Sequence, residues 1–284
     1  MEKLKIIYLM GAGRSGTTIL ASLLGANKNI TTVGEMHQYL EHIIDAKTCS
    51  CGETLDKCEF WGKMHKNYIG KDFSIINSKL EKVESHSRIP ISLCKKNKEY
   101  IEFQETLFKQ IYKEYPSKYY LDSSKFIGKA LQLLKSDIFD VKIIYMIRDV
   151  RGVINSFSKK VQTHKKPIST IIYYSFINLT AQIVKWIFPK RIIKIKYEDF
   201  VSQPEKTIAL ISSFLNENLD DVIDIVKNEK HIKMPHIIGG NRLKKQTKIK
   251  LRKDVSWQKN ISRPKQIIYY ILTLPLMLLN KYKI

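Results

Sequence analysis

A glycine-rich turn near the N-terminus carries residues that can hold an anion. The apolar run at residues 6–10 leads directly into Gly-Ala-Gly-Arg-Ser-Gly-Thr-Thr, which spans residues 11–18. The apolar residues that follow recur at helical spacing, so the turn joins a strand to the start of a helix. Converging backbone N–H groups and the positive end of the helix dipole favour an oxyanion there.

The cation of this turn is an arginine that stands before the last glycine. Gly11 and Gly16 have the spacing of the triphosphate-binding motif G-x-x-x-x-G-K-[ST], but Thr17 occupies the lysine position. The positive charge is Arg14, two residues before Gly16. The turn is therefore predicted to bind a phosphate or sulfate without the lysine that serves a γ-phosphate. A β–α turn without a ligand is the alternative interpretation.

A second polar pair follows the most apolar strand of the chain. Arg148 comes directly after residues 141–147, and Ser156 lies off the apolar face of the next helix. A guanidinium and a hydroxyl placed in this way can hold a phosphate monoester, with the arginine contacting two of its oxygens. Taken alone, the pattern fits equally well an Arg148 paired with a carboxylate and a Ser156 that faces solvent.

Strands alternate with helices along the chain, and this alternation positions the polar residues. Glu35 and residues 123–125 also follow strands, and the capping-box spacing of Ser202 and Glu205 predicts a helix start. The pattern favours an α/β fold whose central parallel sheet is flanked by helices. Ligands of such sheets bind beyond the carboxyl ends of the strands. Strands are predicted at residues 6–10, 30–33, 119–122, 141–147 and 192–197.

Length and charge limit the function classes. The 284 residues are enough for a single domain over residues 1–284. Forty-nine Lys and Arg against 27 Asp and Glu give a net charge of +22. This charge favours a polyanionic partner such as a nucleotide, an acidic glycan or an anionic membrane. Because most of the excess is lysine of the kind found on solvated surfaces, no nucleic-acid binding is inferred.

The two ends of the chain give expectations about location. The first apolar run is too short for a secretory signal, and no stretch reaches the length of a membrane span. A cytoplasmic protein is therefore expected. The apolar segment 267–279 predicts a buried C-terminal helix, with peripheral contact to the inner face of the membrane as the alternative.

Three of the four cysteines form a cluster in the sequence. Cys49, Cys51 and Cys58 have the spacing C-x-C-x6-C, and His65 is a possible fourth ligand. This spacing matches no common zinc pattern well. The favoured interpretation is a compact loop, at about residues 45–65, whose cysteines are small buried apolar residues. No metal is expected.

The glycine turn resembles the 5′-phosphosulfate loop of the sulfotransferases that use 3′-phosphoadenosine 5′-phosphosulfate (PAPS). That family has a Lys or Arg followed by Ser-Gly-Thr-Thr. The resemblance implies a P-loop-like three-layer fold and PAPS as the co-substrate. It also implies which residues hold the 5′-phosphate and the sulfuryl group, namely Gly13, Arg14, Ser15, Gly16, Thr17 and Thr18.

The resemblance extends to a site for the 3′-phosphate of PAPS. Sulfotransferases carry an Arg and a Ser eight residues apart in a strand–helix unit, and Arg148 and Ser156 match them. Tyr197, in Tyr-Glu-Asp-Phe, is similar to a tyrosine that contacts the nucleotide near its adenine; a half-buried tyrosine at a strand end is the alternative. Asn241 and Arg242 resemble part of a basic C-terminal loop that closes over the 3′-phosphate.

Other features of the resemblance indicate a branch of the family. The basic loop covers about residues 239–257, and the cysteine-containing segment is similar to an insert of bacterial sulfotransferases. Ile19 stands where cytosolic members have an adenine-stacking tryptophan. The chain is thus similar to the bacterial and Golgi-type branch, which includes carbohydrate and protein-tyrosine sulfotransferases.

The same resemblance implies the catalytic groups. Glu35, in Gly-Glu, matches the glutamate that serves as general base, and His37 is the second candidate. Arg14 and Lys125 are expected to neutralise the charge that develops as the nucleotide leaves. A helix-start carboxylate without a catalytic role is the alternative for Glu35.

The predicted function is transfer of a sulfuryl group to an acceptor hydroxyl on a glycan, a glycoconjugate or a tyrosine, with a glycan or glycoconjugate preferred. The acceptor, the oligomeric state and the role of the three clustered cysteines are left open by the sequence. Two other classes also stay open. One is a P-loop kinase, which would need the missing lysine, and the other is a non-enzymatic binder of acidic glycans.

Overall fold

Five parallel strands form one sheet in the computed structural model, which describes residues 3–65, 72–159, 164–230, 235–239, 251 and 253–284. The strands are β1 (Leu4–Met10), β2 (Ile30–Gly34), β3 (Tyr119–Lys125), β4 (Phe139–Ile147) and β5 (Ile192–Lys196). Their order is β2-β3-β1-β4-β5, and every neighbouring pair is parallel. All five predicted strands are confirmed, and their carboxyl ends share one edge of the sheet.

Helices connect the strands and cover the sheet. The first group is α1 (Thr17–Leu24), α2 (Tyr39–Ile44), α3 (Gly62–His65), α4 (Ser74–Glu84), α5 (Ile89–Cys94), α6 (Lys98–Glu114), α7 (Ile127–Leu134) and α8 (Val150–Ser158). The second group is α9 (Pro167–Ile187), α10 (Tyr197–Ser202), α11 (Pro204–Leu215), α12 (Asp220–Lys227), α13 (Trp257–Asn260), α14 (Arg263–Leu272) and α15 (Leu274–Leu279).

The central strand β1 contributes side chains to both faces of the sheet. Ile6, Tyr8 and Met10 belong to an apolar cluster that includes residues of α6 to α9. Ile7 and Leu9 point the other way, into a cluster with residues of α1 and α10 to α12. All five are fully buried, and burial of an Ile, Leu or Met side chain contributes about 1.5–3 kcal/mol. The predicted α/β fold, a parallel sheet between two helical layers, is confirmed.

The start of α11 differs from the predicted capping box. Ser202 belongs to the end of α10, where its hydroxyl donates to the carbonyl oxygen of Glu198 at 2.7 Å. Gln203 precedes α11, and its side chain makes no capping hydrogen bond. The predicted helix is present and begins at Pro204, but the capping role of Ser202 was wrong, because a short helix that begins at Tyr197 directly precedes α11 and uses Ser202 in its own last turn.

The C-terminal apolar segment forms two short helices instead of one buried helix. A break at Thr273 separates α14 from α15, where Pro275 stands in the first turn. Leu276 and Met277 are buried, whereas Leu278 is 59% exposed. None of the described helices has both the length and the apolar character needed to cross a membrane.

Candidate active site

The turn between β1 and α1 needs glycine at two positions. Gly11 has φ +143°, and a Cβ atom there would lie 2.2 Å from the carbonyl oxygen of Met146. Gly16 has φ +90°, and its Cβ would lie 2.6 Å from the ring of Tyr197. A side chain at either position would clash with β4 or with the start of α10. The turn is therefore held closely against the neighbouring strand and helix.

The turn presents groups suited to an anion. Arg14 adopts a left-handed conformation with φ +70°, and its guanidinium lies 5.4 Å from the ring centre of Phe157. The Ser15 hydroxyl is buried and has no hydrogen-bond partner among the described residues. Because buried polar atoms are normally satisfied, this hydroxyl is suited to bind a ligand at the turn. Thr17 and Thr18 form the first turn of α1, where helical N–H groups lack intrahelical acceptors.

Tyr173, on α9, closes one side of the turn. Its hydroxyl accepts a hydrogen bond from the backbone N–H of Gly13 at 3.0 Å. Burial raises the pKa of Tyr173, so the hydroxyl stays protonated at neutral pH. The sequence analysis missed this residue, because nothing in an apolar helix 160 positions after Gly13 marks a contact with the turn.

Glu35 and Lys125 form an ion pair at the edge of the sheet. The Lys125 ammonium donates to Glu35 Oε1, and the side-chain amide of Gln38 donates to Oε2 at 3.2 Å. Glu35 follows β2, and Lys125 is the last residue of β3, where it has φ +73°. The two residues predicted as base and cation are thus brought together, because β2 and β3 are neighbours in the sheet.

His37 lies beside this ion pair. Its backbone N–H donates to the Ser124 hydroxyl at 3.1 Å, and its ring packs against Phe126 at 4.6 Å between centroids. Burial, with smaller contributions from the charges of Lys125 and Lys129, holds the pKa of His37 well below its usual value. The imidazole is therefore neutral at pH 7.

A cleft of about 270 Å³ joins the glycine turn to the ion pair. Lys165 contributes a further cation, 3.8 Å above the Tyr173 ring, which the sequence analysis did not single out. Burial lowers the pKa of Lys165. The lining residues include Gly11, Gly13, Glu35, His37, His86, Lys125, Phe126, Phe157, Lys165 and Tyr173.

Arg148 occupies a second site on the other side of the turn. Its guanidinium donates to the carbonyl oxygen of Arg14 at 3.1 Å and lies 4.3 Å from the ring centre of Tyr197. A Cβ at Gly152 would lie 2.7 Å from Arg148 Nε, so the guanidinium passes over the first turn of α8. Ser156 is four residues further along α8 and therefore on the same face.

The structure also agrees with the alternative interpretation, in which Arg148 pairs with a carboxylate. Arg148 Nη2 lies 3.1 Å from Asp254 Oδ2, and Arg148 is only 6% exposed. Asp254 itself accepts hydrogen bonds from the backbone N–H and the hydroxyl of Ser256. Ser156 is half-buried on α8. Asp254 was missed because no local pattern marks a partner 106 positions away.

Of the remaining residues predicted to contact the nucleotide, the structure describes Tyr197 but not Asn241 or Arg242. Tyr197 is buried at 4% exposure, with its ring between Gly16 and the Arg148 guanidinium, so it supports both the turn and Arg148. Asn241 and Arg242 lie outside the described residues, as does most of the basic loop at 239–257. The described site therefore offers one anion-binding turn, one adjacent arginine site, and a cleft that contains a carboxylate, two imidazoles and two ammonium groups.

Two comparisons with known proteins, one with a family model and one with solved structures, agree with each other. A model of the family described as "Sulfotransferase family" matches residues 7–221, more than half of the chain. The fold is similar to that of the sulfotransferase domain from the curacin biosynthetic pathway, with 16% identity, a TM-score of 0.63 and full coverage of both chains. A search of curated protein sequences gave no match.

Two further solved structures share the fold at low sequence identity. The sulfotransferase domain of the Synechococcus PCC 7002 olefin synthase is 16% identical, with a TM-score of 0.55, and covers 100% of this chain and 96% of that one. Sulfotransferase STF9 from Mycobacterium avium is 11% identical, with a TM-score of 0.52, and covers 97% of this chain and 76% of that one.

Proposed function

The chain belongs to the sulfotransferase family, and from this premise we propose that it transfers the sulfuryl group of PAPS to an acceptor hydroxyl. The observation that carries the proposal is the position of the Glu35–Lys125 ion pair in the same cleft as the glycine turn. A base, a cation and an anion-binding turn within one cleft are the groups that in-line sulfuryl transfer requires.

The donor nucleotide accounts for both anion sites. The 5′-phosphosulfate would bind at the turn, where the Ser15 hydroxyl is buried without a partner among the described residues. The 3′-phosphate would bind between Arg148 and Ser156, which lie on one face of the strand–helix unit. Since ATP has no 3′-phosphate, occupation of the second site would distinguish PAPS from ATP.

The reaction follows from these positions. Glu35 takes the proton of the acceptor hydroxyl while the acceptor oxygen attacks sulfur. The bond between sulfur and the bridging oxygen of the 5′-phosphate breaks, and adenosine 3′,5′-bisphosphate leaves. Lys125 and Arg14 stabilise the negative charge that develops on the departing phosphate, as cations do in phosphoryl transfer. The ion pair with Lys125 holds the Glu35 carboxylate in the cleft before the acceptor binds.

A ligand comparison tests the donor. We expect adenosine 3′,5′-bisphosphate to raise the unfolding temperature more than ATP with Mg²⁺ or heparin does. Labelled PAPS should then transfer its sulfuryl group with and without EDTA. Stabilisation by ATP with Mg²⁺ alone would instead favour a kinase, and stabilisation by heparin alone would favour a non-enzymatic glycan binder.

The acceptor class is proposed from the resemblance and from the cleft lining. Phe126, Phe157 and Tyr173 present aromatic rings to the cleft, while His86 and Lys165 add polar groups. Such a lining suits a ring-shaped, hydroxyl-bearing acceptor, and we propose a glycan or glycoconjugate. Incubation of labelled PAPS with panels of glycans, tyrosine peptides and lipid or polyketide alcohols tests this, and labelling of a non-glycan class alone would refute it.

An exposed apolar face supports a proposed membrane contact. Along α9 the exposed side chains recur at helical spacing and are between 44% and 66% exposed. Helix α15 packs against α9 and adds the exposed Leu278 and Leu279. The α9 residues are Ile168, Ile172, Phe176, Leu179, Ile183 and Trp186.

The charge of the chain supports an anionic occupant for this face. Exposed lysines at residues 166, 190, 281 and 283 stand at the ends of these helices, and the net charge is +22. We propose that the face lies on an anionic phospholipid surface. Such a surface attracts the lysines by their charge and buries the exposed apolar side chains among its lipids. The protein should float with phosphatidylglycerol vesicles and not with phosphatidylcholine vesicles, and Ile172→Glu should abolish flotation.

The control for this contact is Ile75→Glu, because Ile75 is 70% exposed on a different helix. That variant should float as the wild type does. A dimer in solution that Ile172→Glu dissociates, without flotation of the wild type, would assign the face to a second copy of the chain.

A further inference from the structure

Three cysteines and a histidine meet away from the cleft. We call Cys49, Cys51, Cys58 and His236 the thiol–imidazole cluster. Their ligand atoms all lie within 4.8 Å of one another. Cys51 Sγ lies 3.7 Å from Cys58 Sγ, and Cys58 Sγ lies 3.2 Å from His236 Nδ1. All of these cysteines are free thiols.

The four donor atoms lie close enough together to share one tetrahedral metal ion after small side-chain adjustments. Zinc binds thiolates at about 2.3 Å and imidazole nitrogens at about 2.0 Å, which places neighbouring tetrahedral ligands roughly 3.5–3.8 Å apart. Three thiols and one imidazole are a donor set that zinc prefers, and four protein ligands leave no position for substrate. We propose that the thiol–imidazole cluster binds a structural zinc ion.

The ligands are held in place by the surrounding backbone. The Ser50 hydroxyl donates to the carbonyl oxygen of Pro235 at 2.6 Å and accepts from the N–H of Ile237 at 3.0 Å. The Trp61 indole N–H donates to the carbonyl oxygen of His236 at 3.1 Å. These bonds join the cysteine-containing insert to the segment that carries His236. The donor atoms are therefore preorganised before metal binds.

The fourth ligand explains why the sequence did not predict this site. His236 follows Cys58 by 178 positions, so no motif spacing contains it. His65, the candidate considered from the sequence, has a side chain outside the described part of the structure. The sequence expectation that the chain holds no metal is replaced by this proposal.

The zinc ion would fix the segment beside Glu35. Ile238 accepts a hydrogen bond from the N–H of Glu35 at 2.7 Å and donates to the carbonyl oxygen of Val33 at 3.3 Å. The segment 235–239 thus extends from the thiol–imidazole cluster to the strand end that carries Glu35. The cluster lies at one end of this segment, and none of its four residues is among those that line the cleft.

Metal analysis of the purified protein tests the site without reference to the reaction. The wild-type chain, purified without chelator, should contain a single zinc ion, and Cys51→Ser and His236→Ala should each contain almost none. Cys94→Ser is the matched control, because Cys94 is a free cysteine outside the cluster, and it should keep its zinc. Zinc that is absent from the wild type, or kept equally by all variants, would overturn the proposal.

A second measurement covers variants that fail to fold. Wild-type protein stripped of metal should take up a single Co²⁺ and show the intense visible absorption of tetrahedral thiolate coordination. A chelator should then expose three further thiols to a thiol reagent. Absence of that absorption, or a Cys51–Cys58 disulfide found by mass spectrometry in the protein as purified, would overturn the proposal. Sulfotransfer that fails while zinc binds as expected would refute the proposed function alone.

Discussion

The guanidinium of Arg148 is paired with the carboxylate of Asp254, with Nη2 and Oδ2 3.1 Å apart. Desolvation alone would raise the pKa of Asp254, but hydrogen bonds from Ser256 and the charge of Arg148 outweigh it and lower the pKa to about 2. The carboxylate of Asp254 thus pairs with the same guanidinium that, in the proposed function, binds the 3′-phosphate. The two anions would compete for one guanidinium.

Arg148→Ala should weaken adenosine 3′,5′-bisphosphate binding far more than adenosine 5′-phosphate binding. A charge-assisted hydrogen bond contributes about 1.5–3 kcal/mol, so a loss of roughly 10- to 100-fold is expected. Isothermal titration with both nucleotides measures the difference. Arg191→Ala, which removes an exposed ion pair with Asp140, is the control. Equal losses for both nucleotides in Arg148→Ala would refute the 3′-phosphate assignment.

Asp254→Asn should tighten binding of the bisphosphate several-fold. The amide keeps the size of the side chain but removes the negative charge that faces Arg148 and repels a phosphate. Adenosine 5′-phosphate, which would not reach Arg148, should bind as before in the same titration. Weaker bisphosphate binding would mean that Asp254 orients Arg148 instead of competing with the ligand.

Glu35→Gln should lower kcat by about 10²- to 10⁴-fold, the range for a lost general base. The amide retains the volume of the side chain, and its oxygen can still accept a hydrogen bond from Lys125 or from Gln38, so the affinity for adenosine 3′,5′-bisphosphate should change little. Single-turnover transfer from labelled PAPS and nucleotide titration measure the two quantities.

His37→Asn is the companion variant, because the neutral imidazole is the second candidate base. We expect it to retain most of the turnover. If His37→Asn abolishes transfer while Glu35→Gln does not, the base is His37.

The parts of the fold that could be predicted are those set by local sequence. Buried parallel strands are continuous apolar runs, such as residues 141–147, and the polar residues at their ends meet because the carboxyl ends share one edge. Glu35 and Lys125 could therefore be placed near each other without a structure. Arg148 and Ser156 belong to one strand–helix unit, so their common face also followed from the sequence.

The partners that distant segments bring could not be predicted. Tyr173 contacts Gly13, which lies 160 positions before it. Asp254 pairs with Arg148 across 106 positions, and His236 contacts Cys58 across 178 positions. No periodicity or spacing records such contacts, since they depend on how the helices pack against the sheet. The capping-box pattern failed for a related reason, because the neighbouring helix had already used Ser202.

A buried ionic network lies beneath the cleft and gives the last prediction. Lys129 is fully buried, with its ammonium 3.1 Å from Asp122 and 3.9 Å from Glu84. The Tyr100 hydroxyl donates to Glu84. Burial, opposed in part by Lys129 and Tyr100, raises the pKa of Glu84 to about 7. Glu84 is therefore largely protonated in the folded protein under mildly acidic conditions.

The raised pKa of Glu84 makes folding stability depend on pH. Its value in an unfolded chain is 4.5, so its contribution is complete below that pH and is lost as pH rises through about 7. The free energy of unfolding of the wild type relative to Glu84→Gln should fall by about 3 kcal/mol between pH 4.5 and 8.

The pKa values of His37 and His86, lowered by burial, have the opposite effect on stability in both proteins and cancel in this difference. Urea unfolding at several pH values measures it, with Glu102→Gln, on the exposed side of α6, as the control. A difference that stays constant with pH would show that Glu84 is ionised throughout.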